Sequence, residues 1–398
     1  MIFLSGHGFV PAFFFGKYPP GGLTRTAKGW YKSQVTLRLD RENPMNHIKE
    51  LEKQKKRNTT VIIAMLTAVI VVSVACLFVG SSNMTFGDAL NALLGGGNDA
   101  QSRIIWRIRV PRVLAAIIAG AGLSVSGLVM QTTLNNAMAS PSTLGVSNAA
   151  VFGANLSIIV FAGGFLSTGN NLSSFDAGAN PYATSLLAFV FATASVLLIL
   201  GLCTVRSFSP NVVVLAGMAI GSVWTAATTI LQFYATDVGL SAAVVWSFGD
   251  LGRATYRTDA IMAVTVLAGI VFFMSMSWKY NALLSGEATA KTMGVNVEAL
   301  RFVSLLLSSV ITAVCVSFLG VIGFVGIICP HVTKKLLGQD HRVTLPVACL
   351  MGSLLLVLAD TASRSLGSGS ALPVGAITSL LGAPFFLAII FGRKGGHR

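Results

Sequence analysis

Ten apolar runs, most of them near the length of a membrane crossing, set the terms on which this chain can fold. They lie at Val61 to Gly80, Pro111 to Met130, Leu144 to Ala162, Ala183 to Val205, Val212 to Tyr234, Thr258 to Trp278, Phe302 to Leu319, Gly323 to Leu337, Thr344 to Ser365 and Pro373 to Phe391. About 20 apolar residues in a helix cross a hydrocarbon layer of about 30 Å. Such a segment also satisfies its own backbone, which lipid requires. The sequence therefore predicts an all-α polytopic membrane protein of about ten transmembrane helices. Only 11% of residues are charged, against about a quarter in soluble domains. The eighth run is short and carries Pro330, His331, Lys334 and Lys335. It is kept because nine spans would leave the basic tail Arg393, Lys394, Arg398 outside.

The net charge of +14 does not indicate nucleic acid, because the basic residues flank apolar runs and are not interleaved with stacking aromatics. It indicates orientation. Lys53, Lys55, Lys56 and Arg57 stand directly before the first run and hold the N-terminus inside. With both termini inside, 21 of the 28 Lys and Arg residues are cytoplasmic and 7 are external. The expected layout is a cytoplasmic N-terminal extension over 1–60, a ten-helix domain over 61–393 and a cytoplasmic tail over 394–398. Residues 1–44 have neither a signal-peptide layout nor helical periodicity. They read as a misassigned start ahead of Met45. Residues 163–182 and 235–257 are then external, and 279–301 is cytoplasmic.

That last stretch, KYNALLSGEATAKTMGVNVEALR, is a polar island between two spans. Its core, Gly286 to Thr292, superficially resembles a phosphate-binding loop, but that loop needs a glycine directly before its lysine, and position 290 is alanine. Glu287, Ala288, Ala290 and Lys291 favour a helix, and Gly286 and Gly294 permit a sharp turn at either end. Other features have plainer readings. The five cysteines show no paired spacing, so neither a disulfide framework nor a metal site is indicated. His331 is a lone histidine, whereas metal sites need several convergent ligands. Gly217 and Gly221 form a GxxxG pair suited to close helix packing. Asp360 lies four residues before Arg364, the spacing of a helical ion pair; a proton or cation site is the alternative. Arg103, Arg107, Arg109, Arg112 and Arg364 form an external basic cluster, open to either headgroup snorkelling or a partner.

Several stretches together resemble the FecCD-type permeases, membrane subunits of ATP-binding-cassette importers for ferric siderophores, haem and cobalamin. Arg109 to Arg112 is similar to the family's RLPR, Asn136 to Pro141 to its NPLADP turn, and Leu144 to Ser147 to LGVS. The island is similar to GEExAxxLG, and 320–331, 338–342 and 372–386 resemble further signatures. Ala137 stands where the family has proline, Ser140 replaces its aspartate, and Ala288 replaces the second acid of the island.

The resemblance implies a type II ABC importer permease fold like that of the cobalamin importer. It implies a homodimer or a heterodimer with a similar permease, embedded in the lipid of the cell (inner) membrane, with the pathway lined by the fifth and tenth spans. It implies no catalytic residue and no cofactor on this chain, with ATP and Mg on a partner ATPase subunit. Gly286, Glu287, Ala288, Ala290, Met293 and Gly294 would contact that ATPase. Arg109, Arg112 and Arg364 would dock an extracytoplasmic substrate-binding protein. The cargo expected is an iron chelate, a ferric siderophore before haem or cobalamin. An ion-coupled secondary transporter is the rival class, and it would need embedded carboxylates near the midplane.

Overall fold

The structure, a computed structural model, describes residues 44–79, 86–93, 95–96, 99–164, 180–205, 209–366 and 371–391, and every regular element among them is helical. The expected false start over 1–44 and the tail over 394–398 fall almost wholly outside these residues. By its contacts the chain divides at Thr60. The first unit supplies the polar beginning of α1 (Pro44–Phe78), where the Thr59 and Thr60 hydroxyls donate to the Lys55 and Lys56 carbonyls one turn back. All that follows belongs to the second unit.

After α1 come α2 (Phe86–Leu93), α3 (Asp99–Arg103), a π-helical turn (Ile104–Arg109), α4 (Val110–Thr133) and α5 (Val146–Asn155). Then follow α6 (Pro181–Val205), α7 (Pro210–Phe233), α8 (Asp237–Ser247), α9 (Tyr256–Ser275), α10 (Ser277–Leu284) and α11 (Glu287–Thr292). The chain closes with α12 (Val297–Leu319), α13 (Val325–Leu337), α14 (His341–Leu366) and α15 (Val374–Phe391). Local chemistry sets many of these limits. Ser209, Thr236, Thr255 and Asn296 cap α7, α8, α9 and α12 by accepting a backbone N–H three residues on.

Seven helices among the described residues, not ten, are long and apolar enough to cross a membrane: 52–78, 99–133, 181–204, 210–233, 256–275, 297–319 and 341–366. Three expected spans fall short. The third is cut at its start by Gly145 in a left-handed conformation, φ 72°, so its helix begins only at Val146. The eighth is α13, whose 13 residues give a rod of about 20 Å at 1.5 Å per residue. The tenth, α15, has an apolar described part from Val374 to Phe385 with Pro384 inside it. Conversely, α8 lies in a stretch the sequence presents as an external loop. The second span begins at Asp99 rather than Pro111. The helix passes the missing N–H of Pro111 through the π turn, where the Val110 N–H reaches back to the Ile105 carbonyl.

At the centre stands α4, buried along nearly its whole length and rich in Ala, Gly and Ser. It packs most extensively on α14, then on α12, α13 and α9. Two glycine contacts bring backbones together. A Cβ placed on Gly120 would lie 2.3 Å from the Gly352 carbonyl oxygen, and one on Gly127 would lie 1.8 Å from that of Gly326. A second core joins α5, α6 and α7. There Gly217 and Gly221 press against Leu144 and Gly145 of the same chain, at 2.8 and 3.3 Å from a built Cβ to the nearest Cα.

Candidate functional site

The island folds as two short helices, α10 and α11, between α9 and α12. Gly286 and Gly294 flank α11 with φ of 106° and 81°, a left-handed region open to glycine at little cost. Ala290 is fully buried and seats the helix, while Ala288, Thr289, Lys291 and Met293 face outward, Met293 at 57% exposure. Glu287 turns inward. Its carboxylate pairs with the guanidinium of Arg301 on α12, a side chain almost wholly buried.

Carbonyl accounting at the end of α4 explains why Arg301 is there. A helix leaves its last four C=O groups without intrahelical partners. Those of Met130, Gln131 and Thr132 accept from the N–H groups of Leu134, Asn136 and Asn135. The Thr133 carbonyl accepts instead from Arg301 Nε at 3.0 Å. Thus one guanidinium holds α11 on one side and the last turn of α4 on the other.

The neighbouring residues of that turn are bonded outward as well. Thr132 Oγ1 meets His341 Nε2 at 2.8 Å, and His341 Nδ1 meets Asn281 Oδ1 at 3.0 Å. Because the Asn281 amide nitrogen donates to Asp340 Oδ1 at 2.7 Å, its oxygen faces His341, and Nδ1 carries the hydrogen. Nε2 of a neutral ring then accepts from Thr132. Gln131 serves α13. Pro330 has no N–H to give the Gly326 carbonyl, and Gln131 Nε2 reaches that carbonyl at 3.4 Å and the next at 3.5 Å. Its Oε1 accepts from Lys334 Nζ at 3.1 Å. Beside this cluster, Tyr280 is fully buried with its hydroxyl 2.7 Å from Ser304 Oγ. Burial pushes its phenol above the usual range.

The opposite, arginine-rich end differs from the sequence expectation. Arg109, Arg112 and Arg364 are only 5%, 7% and 7% exposed, so they do not present a docking face. Asp360 binds Arg112 Nε through Oδ1 at 2.6 Å and Arg364 Nε through Oδ2 at 3.0 Å; Asp250 stands 3.5 Å from the second nitrogen of Arg112. Donors of Arg109 and Arg364 hold the end of α1. Arg109 donates to the Leu77 carbonyl at 2.7 Å, and Arg364 to those of Val79 and Cys76 at 2.7 and 3.2 Å. These acceptors are the orphan carbonyls at a helix C-terminus, which also attract positive charge.

The cations exposed at this end are Arg103, Arg107 and Arg257, with Trp106 and Tyr256 half exposed between them and the Tyr256 hydroxyl donating to the Trp106 carbonyl. Burial lowers the pKa of Arg253 nearby, against the raising influence of Asp250. The sequence reading missed one carboxyl, Asp259 in the first turn of α9, which is buried with neither oxygen hydrogen-bonded. Among the described residues no three His, Cys, Asp or Glu side chains converge as a metal site.

Comparisons with known proteins agree on one kinship. The model of the FecCD transport family matches residues 66–392. A candidate ABC transporter permease protein of Methanocaldococcus jannaschii is 44% identical over 329 residues, 82% of this chain and 93% of its own. The hemin transport system permease protein of Yersinia pestis is 32% identical over 330 residues, 83% and 95% of the two chains. A solved structure described as an inward-facing conformation of a candidate metal-chelate type ABC transporter superposes with a TM-score of 0.71 at 26% identity, covering 84% of this chain and 99% of that one.

Proposed function

This chain belongs to the FecCD transport family of ABC-importer permeases, and on that premise we propose that it passes a ferric siderophore inward, driven by a separate ATPase and supplied by a substrate-binding protein. The observation that carries the reading is α11: a short, stiff helix seated by Ala290, turned at both ends by glycine, and showing Met293 and Lys291 to a partner. It lies on the cytoplasmic side by the charge asymmetry of the sequence. A chelate is preferred to a bare ion because no ion-binding cluster converges among the described residues. A haem or cobalamin cargo is the nearest alternative within the family.

Docking of the binding protein falls to the exposed Arg103, Arg107 and Arg257, on a platform held together by Arg109, Arg112 and Arg364. A second permease copy, identical or similar, packs along α7 and α15, whose Leu215, Val223 and Leu380 are more than 60% exposed.

The test is reconstitution of the chain with its ATPase and binding protein in proteoliposomes. ATP-dependent uptake of a labelled ferric siderophore is expected; uptake of haem or cobalamin alone would move the cargo. Replacing Met293 by Arg should abolish co-purification of the ATPase while leaving the helical content intact. Uptake that survives ATP depletion and collapses with an uncoupler would overturn the reading and give Asp259 the role of an ion-coupling carboxylate.

A further inference from the structure

Three consecutive residues, Gln131, Thr132 and Thr133, close the last turn of α4, and each is tied to a different part of the fold. Two of those ties run to the island. One passes from Glu287 of α11 through Arg301 to the Thr133 carbonyl. The other passes from Asn281 of α10 through His341 to Thr132. Both end on the helix that packs against α9, α12, α13 and α14. We infer that Arg301 is the positioning residue that hands movement of α11 to the end of α4, so that force enters the bundle at its most buried helix rather than through the exposed α7 and α15.

The chemistry suits the task. A guanidinium is planar and presents donors at fixed angles, so it links two acceptors as a rigid fork rather than a flexible tether. One acceptor is a carboxylate, which makes a strong charge-assisted bond. The other is a backbone carbonyl, so its displacement moves the main chain of α4 and not merely a side chain. The Arg301 end of the link is buried, while the Glu287 carboxylate is half exposed. Glu287, although its position in the island motif marks it for a partner, thus faces the permease itself. Met293 and Lys291, on the outward side of α11, remain available to the ATPase.

The inference rests on the reading of α11 as the ATPase contact, and the experiment separates the two. The complex with the ATPase is reconstituted carrying Arg301→Met, Arg301→Lys or Glu287→Gln. ATPase co-purification, ATP hydrolysis and ATP-driven uptake of ferric siderophore, haem and cobalamin are measured for each. Arg301→Met should still bind the ATPase and hydrolyse ATP, yet lose about tenfold in uptake per ATP, a size usual for coupling between two sites. Arg301→Lys, which keeps the charge and can reach one acceptor, should recover part of it. Glu287→Gln changes only a half-exposed carboxylate and covers the case in which the methionine variant fails to fold; it should lower uptake per ATP in the same direction. Unchanged uptake per ATP in the methionine variant, or in Glu287→Gln, would overturn the inference. So would loss of ATPase binding, since Arg301 would then serve docking. A wild-type complex with no ATP-driven uptake would instead refute the function itself.

Discussion

A single carboxylate, Asp360, stands between two buried guanidiniums, and removing it leaves Arg364 without its counter-charge and Arg112 with only Asp250 at 3.5 Å. Breaking a buried ion pair from one side costs about 3–5 kcal/mol. Asp360→Asn should therefore lower the thermal midpoint of the detergent-solubilised protein sharply, and Asp360→Asn with Arg112→Met should recover part of the loss. Equal midpoints for wild type and Asp360→Asn would show that the pairs contribute nothing net. A smaller loss, about 1–3 kcal/mol for a stranded buried acceptor, is expected from Gln131→Leu, which exposes the defect made by Pro330. At this scale the sequence reveals what is local. The pairing of Asp360 with Arg364 is one helical turn and is legible; that with Arg112 joins residues 248 apart and is not. Pro330 announces an orphan carbonyl at Gly326, but nothing in the sequence names Gln131 as the side chain that meets it. Arg109 and Arg112 read as external because they stand at the start of an apolar run, whereas the helix that runs on from the π turn buries them in the fold.

Among the helices, length was the legible quantity and termination the hidden one. Seven runs give full-length spans, since hydropathy alone decides those. Three others are stopped or bent by Gly145, Gly338 and Pro384, whose effect depends on backbone conformation rather than polarity. The packing of α4 yields a sharp comparison. Gly127→Ala would thrust a methyl into the Gly326 carbonyl and force α4 and α13 apart, at about 1–3 kcal/mol for overpacking. Gly201→Ala, on α6, meets nothing within 4 Å and should be neutral or stabilising by about 0.5–1 kcal/mol. Parallel melting curves check the pair; equal shifts would mean that α4 and α13 are not held in close contact. The island's helicity and its two turning glycines were readable from propensity, but the inward face of Glu287 was not, because its partner comes from the next helix.

For the molecule as a whole, the charge asymmetry of the sequence predicts the arginine-rich end outside and the island inside. Thr289→Cys should react with a membrane-impermeant maleimide only in inverted vesicles, and Thr255→Cys only in intact cells; the opposite pattern would reverse the topology. Changing Arg103, Arg107 and Arg257 to Glu should weaken capture of the substrate-binding protein, most at low salt, since exposed charges are screened within about 10 Å at 0.1 M. The same substitutions leave the buried arginines to their own work at the end of α1. That work has a schedule. Arg109 lies 32 residues after the carbonyl it caps, and Arg364 lies 285 residues after Val79. At a synthesis rate of about 5–20 residues per second, Arg109 follows within seconds, while Arg364 follows after roughly 15–60 s. The first membrane helix therefore waits, partly capped, through nearly the entire birth of the chain. Its final anchoring reports that the ninth apolar run has arrived, so a nascent chain truncated before Arg364 should show α1 still open to exchange.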